Sequence, residues 1–402
     1  MGRKYVFAAV AATALTAATF SCSKSSDTAA TAAANYLYMS TGVCYSGNGF
    51  TPPVIADTGV TLSRLNLSSL NYEIVKDYGD LADELADTYA SGIVDGGDGY
   101  IYASVTNPSQ SSVRRVDKIQ KAAFGSNSSW TQLASFFVTA LKSVARASDG
   151  GILVGGTTAI ERFDSTPTRI EADTGISWGE AFANSCASNN TLITSLVALP
   201  AFTGTTMGKY IYAHAAALQN DIGIIAMDGS RVATSCLANA PGAAVLTNAA
   251  TANSTYSATL GANATPTSIV YIATPAGSTT GKLLVAYGAA ATNSAGTLNN
   301  ALVMYDINEP DANTAAISNG QILYNNHTYF FGVTAMGYDS ANGHLYVASS
   351  NSLNAVPIGY NVEKFSIDLT TPGATRIPNA NMSSFQSANS LNNCVTGMFV
   401  GN

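Results

Sequence analysis

Charge is scarce in this chain. Asp, Glu, Lys and Arg make up 11% of its 402 residues, and there are three histidines, two tryptophans and five cysteines. The net charge is −7, a mildly acidic balance that argues against nucleic acid or anionic lipid as a partner. No CxxC or CxxCH occurs, which excludes the motif-borne zinc, haem and thioredoxin-type chemistries. There is also no HExxH, Walker loop, EF-hand or GGxGxD run. A Ser/His/Asp set assembled from separate loops would leave no such trace, because triads are recognised in space. Long apolar runs are missing too, apart from Tyr5–Phe20, which falls short of the roughly 20 residues a membrane span needs.

What the sequence does contain is a repeat, clearest in Asn342–Leu369. Asn342-Gly343 supplies turn chemistry; Leu345–Ala348 is a short apolar run of β-formers; Val362–Ile367 alternates more openly. The first-strand pattern recurs at Asn35–Val43, Asp98–Thr106, Asp149–Thr157, Gly208–Ala216 and Gly281–Ala289. The second-strand pattern recurs at Thr61–Ser68, Ser112–Ile119, Ala159–Thr166, Ile222–Gly229 and Ala301–Asn308. Candidate strands precede several of these pairs (Ser143–Arg146, Thr194–Leu199, Ser268–Ala273, Val333–Gly337). Others follow them (Tyr72–Val75, Thr168–Ile170, Gln321–Tyr324).

A period of roughly 50 to 70 residues with four antiparallel strands per unit predicts an all-β propeller. Six blades are expected; a seventh would need strands within Leu237–Thr267. Cys394–Val400 has no mates after it, and Asn35–Val43 has no inner strand before it. Pairing the two closes the ring from both termini and hides two edges. GHLYVASSNS followed by VEKFSID resembles the blade repeats of YVTN-type and NHL-type bacterial propellers. The resemblance implies the propeller fold and no activity, since it is a packing motif and such folds host many functions.

Three segments are expected. Residues 1–21 read as a signal peptide: Arg3-Lys4, the apolar Tyr5–Phe20, then Ser21. Thr19-Phe20-Ser21-Cys22 resembles a bacterial lipobox, which implies lipidation of Cys22, although Thr19 and Phe20 depart from the usual pattern. By the same analogy, Ser23 implies export to an outer membrane, facing the periplasm or the cell surface. Residues 22–34 are a small, polar, low-complexity tether, and residues 35–402 are the propeller. Setting Cys22 aside leaves Cys44, Cys186, Cys236 and Cys394, and four cysteines in an exported chain imply two bridges with three connectivities. Cys44–Cys394 is favoured because it would clasp the closing blade, leaving Cys186–Cys236.

Candidate chemistry is thin. Asp80–Asp87 carries four carboxylates at helical spacing, a pattern that suits a solvated helical insertion better than a calcium cage. Asp95-Gly96-Gly97-Asp98-Gly99 resembles a short calcium loop, yet a hairpin turn explains it fully. Calcium is therefore the sole cofactor entertained, and no metal ligand set is assigned. His214, His327 and His344 are spread along the chain, and the inner strands offer Val, Ala, Ser and Met. The aromatics Phe50, Trp178, Tyr329 and Phe330 in connections are the candidate contacts for a protein or glycan. The expected function is a non-catalytic envelope or surface scaffold that binds such a partner through its loops. The alternative is a periplasmic metal-dependent hydrolase or lactonase, which would need inward carboxylates and amides from at least three blades, a convergence that Asp95, Glu161 and Asp339 are too scattered in the sequence to show.

Overall fold

The computed structural model describes residues 35–42, 60–79, 86–107, 109–110, 113–121, 130–131, 139–146, 150–157, 160–163, 191–198, 209–216, 220–226, 234–236, 245–247, 257–261, 263–272, 280–289, 291–308, 317–327, 329–350, 360–378 and 394–402. Among them there is no helix. The strands in chain order begin with β1 (Tyr36–Gly42), β2 (Thr61–Asn66) and β3 (Tyr72–Asp77). Next come β4 (Tyr89–Asp95), β5 (Tyr100–Thr106), β6 (Arg114–Gln120) and β7 (Trp130–Thr131). They are followed by β8 (Thr139–Arg146), β9 (Ile152–Thr157) and β10 (Ile160–Phe163), then β11 (Thr191–Ala198), β12 (Lys209–Ala216), β13 (Asn220–Ala226) and β14 (Thr234–Cys236). The short β15 (Val245–Thr247) and β16 (Ser257–Leu260) precede β17 (Thr265–Ile272), β18 (Thr280–Gly288), β19 (Thr297–Leu298), β20 (Ala301–Asn308) and β21 (Ile317–Tyr324). The last are β22 (Val333–Asp339), β23 (His344–Ser350), β24 (Tyr360–Asp368), β25 (Gly373–Ile377) and β26 (Cys394–Gly401).

All six strand pairs anticipated from the repeat form antiparallel ladders: β1–β2, β5–β6, β9–β10, β12–β13, β18–β20 and β23–β24. The turns before β5 and β23 rest on the expected chemistry. Gly99 and Gly343 sit at φ 86 and φ 66, which glycine adopts at little cost. Asp339 Oδ1 accepts the amides of Ala341 and Asn342 at 3.1 and 3.3 Å, so the carboxylate holds its own turn. The C-terminal strand closes the first sheet as predicted, from Tyr36↔Gly401 to Gly42↔Cys394. The rings of Tyr38 and Phe399 stack across that seam at 4.8 Å.

The count of six or seven equal blades needs correction. The strands hydrogen-bond into five sheets, three of four strands and two of seven, in a propeller-like arrangement. Two local events account for the difference. A Leu192↔Thr157 pair joins β11 to β9 and so fuses two hairpin groups into one sheet. Weak strands do exist within Leu237–Thr267, but β15 pairs in parallel with β21 and extends that sheet outward instead of founding another.

The core lies between neighbouring sheets. Tyr38, Leu62, Tyr89, Ile101 and Val105 fill one gap. Leu284, Leu302, Phe330, Leu345, Val347 and Phe365 fill another. Met39, Tyr346, Ala348 and Val395 fill the gap beside the closing strand. Alternation along each strand feeds both of its gaps, which is why the first strands read as continuous apolar runs.

Candidate functional site

β4, β8, β11, β17, β22 and β26 are the innermost strands, and each touches the next to form a closed ring. All six carry a β-bulge at the same place, seen where the pairing register slips by one residue. The extra residues are Ser91, Lys142, Thr194, Thr267, Thr334 and Thr396, and each is followed by a small residue: Gly92, Ser143, Ser195, Ser268, Ala335 or Gly397. A sequence signature, Thr/Ser-small-apolar, was therefore present in five of the six strands, and its missing member is Lys142.

These positions bind neighbouring strands together. Thr396 Oγ1 donates to the Ala90 carbonyl at 2.5 Å, and Thr194 Oγ1 donates to the Pro266 carbonyl at 2.8 Å, the equivalent atom one group further on. Ser195 Oγ accepts the Ile269 amide at 3.2 Å, and Ser268 Oγ accepts the Met336 amide at 3.1 Å. Gly397 occupies the same place as those two serines, but a Cβ there would lie 2.7 Å from the Ile93 nitrogen. The closing contact is thus backbone against backbone. Because equivalent atoms meet from strand to strand, all six inner strands point the same way along the axis.

The ring encloses a cavity of about 450 Å³. Its wall includes Thr194, Ser195, Thr334 and Thr396, the aromatics Tyr271, Tyr338 and Phe399 towards one end, and Lys142. Lys142 is 8% exposed, and its Nζ lies 3.3 Å from the Tyr89 hydroxyl. Burial in the apolar surround pushes its pKa down to about 7, because the charged form loses its hydration. Tyr89 is fixed in turn: its ring fills the space beside Gly42, where any Cβ would collide with it.

The residues singled out from sequence are dispersed. Asp95 pairs with Lys121 at 2.7 Å, and Asp98 with Arg146 at 2.9 Å, with the Tyr102 hydroxyl donating to Asp98 at 2.9 Å. Burial alone would raise the Asp98 pKa, but the Tyr102 hydrogen bond and the Arg146 charge outweigh it and hold the carboxyl below its ordinary value. This stretch forms the hairpin turn before β5, with both carboxylates paired to neighbouring cations. Asp339 serves its hairpin, where its Oδ2 also accepts the Asn342 side-chain amide at 2.7 Å. The side chains of Glu161 and His214 lie outside those described. His327 lies in a turn and His344 at the start of β23, with no metal-ligating group of three among the described residues.

Of the four aromatics, Phe330 is a correction: it is fully buried and meets Phe365 edge-on at 6.3 Å, a core side chain. Tyr329 is half-buried, with the Arg376 guanidinium 3.7 Å above its ring. Phe50 and Trp178 fall outside the described residues, as do Cys22, Cys44, Cys186, residues 80–85 and residues 1–34. Cys394 Sγ lies 3.7 Å from the Gly42 carbonyl, two residues before Cys44 in the chain, and the backbone of Cys236 pairs with Gly223.

No family model matches the sequence, and no curated protein does. Among solved structures the chain is similar to a protein of unknown function from Bacteroides caccae, at 13% identity and a TM-score of 0.45, covering 91% of this chain and 98% of that one. It is also similar to the extracellular domain of a putative one-component system from B. thetaiotaomicron, at 11% identity and a TM-score of 0.40, covering 85% of this chain and 35% of that one. A third likeness is to apo AztD from Citrobacter koseri, at 10% identity and a TM-score of 0.33, covering 86% and 71%. At TM-scores below 0.5 these likenesses carry no argument about activity.

Proposed function

We propose that the chain is an exported envelope lipoprotein, anchored through Cys22, whose propeller-like body is a non-catalytic scaffold presenting loops to a protein or glycan. One observation carries the reading. The strands flanking residues 43–60, 78–88, 289–300, 351–359 and 378–393 meet at one end of the ring, and those flanking 121–129, 199–208 and 309–316 at the other, so both ends carry connections of several residues. The tight Asp-held turns at 96–99, 340–343 and 369–372 lie at that second end. A rigid strand body with long connections at its rims is built like a binding scaffold.

Where 291–300 is described, that connection is ordered by asparagine. Asn300 Oδ1 accepts the amides of Ala289 and Gly332, both at 2.9 Å, while Asn293 Oδ1 accepts those of Asn299 and Asn300 at 2.8 and 2.9 Å. Polar loops without charge, held in shape by such bonds, suit recognition of a neutral glycan or protein surface.

The test is to tag the C-terminus, solubilise cells in mild detergent and identify what co-purifies, beside a Cys22→Ser variant. A stoichiometric envelope protein or glycan is expected, with the variant leaving the membrane fraction. A lone protein holding one equivalent of a divalent cation would favour the metal-dependent hydrolase instead.

A further inference from the structure

The cavity inside the ring is lined unevenly. β11, β17, β22 and β26 follow one another around the ring. Thr194, Thr334 and Thr396, at the bulges of three of them, are half-buried, whereas the equivalent Thr267 and Ser91 are buried. A few residues further along the same strands, Tyr271, Tyr338 and Phe399 line the cavity and are again half-buried. β4 adds Gly92, Ile93 and Val94, which bring no polar side chain. Lys142 is the one charged residue of the wall among the described residues, and its amine is turned to the Tyr89 hydroxyl at 3.3 Å. Two of the rings are set in place: a Cβ at Gly281 would collide with Tyr271, and Phe399 stacks on Tyr38 at 4.8 Å.

We propose that the axial cavity binds a small neutral sugar, a mono- or disaccharide. The threonine protons are already committed, Thr194 to the Pro266 carbonyl at 2.8 Å, Thr334 to the Ala348 carbonyl at 3.4 Å and Thr396 to the Ala90 carbonyl at 2.5 Å. A hydroxyl that donates still accepts through its lone pairs, so these positions favour a ligand that brings O–H donors of its own. The aromatic side chains favour one that also has an apolar face. A pyranose has both, with C–H groups on its ring face and hydroxyls around its edge. An ion would be stripped of water against a wall that offers no opposite charge, which selects against acidic and amino sugars. At about 450 Å³ the cavity falls within the roughly 300–1,000 Å³ of small-molecule sites. It lies inside the ring, so the proposal does not depend on what the connections at the rims recognise.

The experiment titrates the full-length protein at pH 7 with glucose, galactose, mannose and maltose, and reads binding by saturation-transfer NMR. At least one of these sugars is expected to bind with a Kd of about 1 mM or below. Tyr338→Ala is expected to weaken it at least about tenfold, and Thr334→Val by about threefold. On the unaltered chain, glucuronic acid and glucosamine are expected to compete at least about tenfold less well than the neutral sugar. That comparison needs no variant, so it decides the matter even where a substitution prevents folding. No binding by any of the four sugars, or better competition by either charged one, overturns the proposal. So does binding that Tyr338→Ala leaves unchanged, which would place the sugar on the outer connections and leave the scaffold reading standing.

Discussion

Replacing Gly397 with valine is expected to destabilise the protein by about 3 kcal/mol or more, the upper end of what overpacking costs. A Cβ at this position would lie 2.7 Å from the Ile93 nitrogen, 3.0 Å from Gly92 Cα and 3.1 Å from the Gly92 carbonyl carbon. All three are backbone atoms of β4, so no side chain can rotate away. β26 is simultaneously held by β1 along its length, from Tyr36↔Gly401 to Gly42↔Cys394. Relief therefore requires moving one edge of the ring, which opens the seam between the last strand and β4. Urea unfolding reads the effect as a lowered midpoint. Ile74→Thr, at the exposed Ile74 of β3, is the control and is expected to stay within about 0.5 kcal/mol.

Lys142→Met is expected to stabilise the protein, and by more at pH 6 than at pH 10. The amine has a pKa of about 7 when folded against 10.5 ordinarily. Between those values the unfolded chain binds more protons, so the wild type gains stability as pH rises through the window. Below about 7 both states are protonated and the cost of burying the charge is complete; above 10.5 both are neutral and it vanishes. A shift of this size corresponds to a pH-dependent difference on the order of 3–5 kcal/mol between variant and wild type. Subtracting the two denaturation curves at each pH cancels every other titrating group. A difference that stays flat with pH would mean that Lys142 is charged and solvated in the folded protein.

The hairpins were legible because period-two runs and Asn-Gly or Asp-Gly turns are local signals: Asn342–Leu369 forms the ladder and turn its residues imply. Closure by Cys394–Val400 was legible too, since an orphan strand at each terminus has one economical partner. The sheet count was not, because it turns on one long-range pair, Leu192↔Thr157, and on a parallel contact at Thr247↔Gln321. Neither leaves a pattern in sequence. Phe330 looked like a loop aromatic, but the chain dips there to fill the gap beside Phe365, and only packing reveals that. The ring ties sat in plain view as Thr194-Ser195, Thr267-Ser268 and Thr396-Gly397. Their meaning depends on bulges that align residues some 70 positions apart, and on Lys142 standing where a hydroxyl is the rule.

The most direct test of the closed, exported body is a peptide mass map of the protein taken from cell envelopes without reduction. One linked pair joining Cys44 to Cys394 is expected, with residues 1–21 absent and Cys22 carrying a lipid. Free thiols at both positions, or a bridge from Cys394 to Cys186 or Cys236, would contradict a ring drawn shut by its two ends.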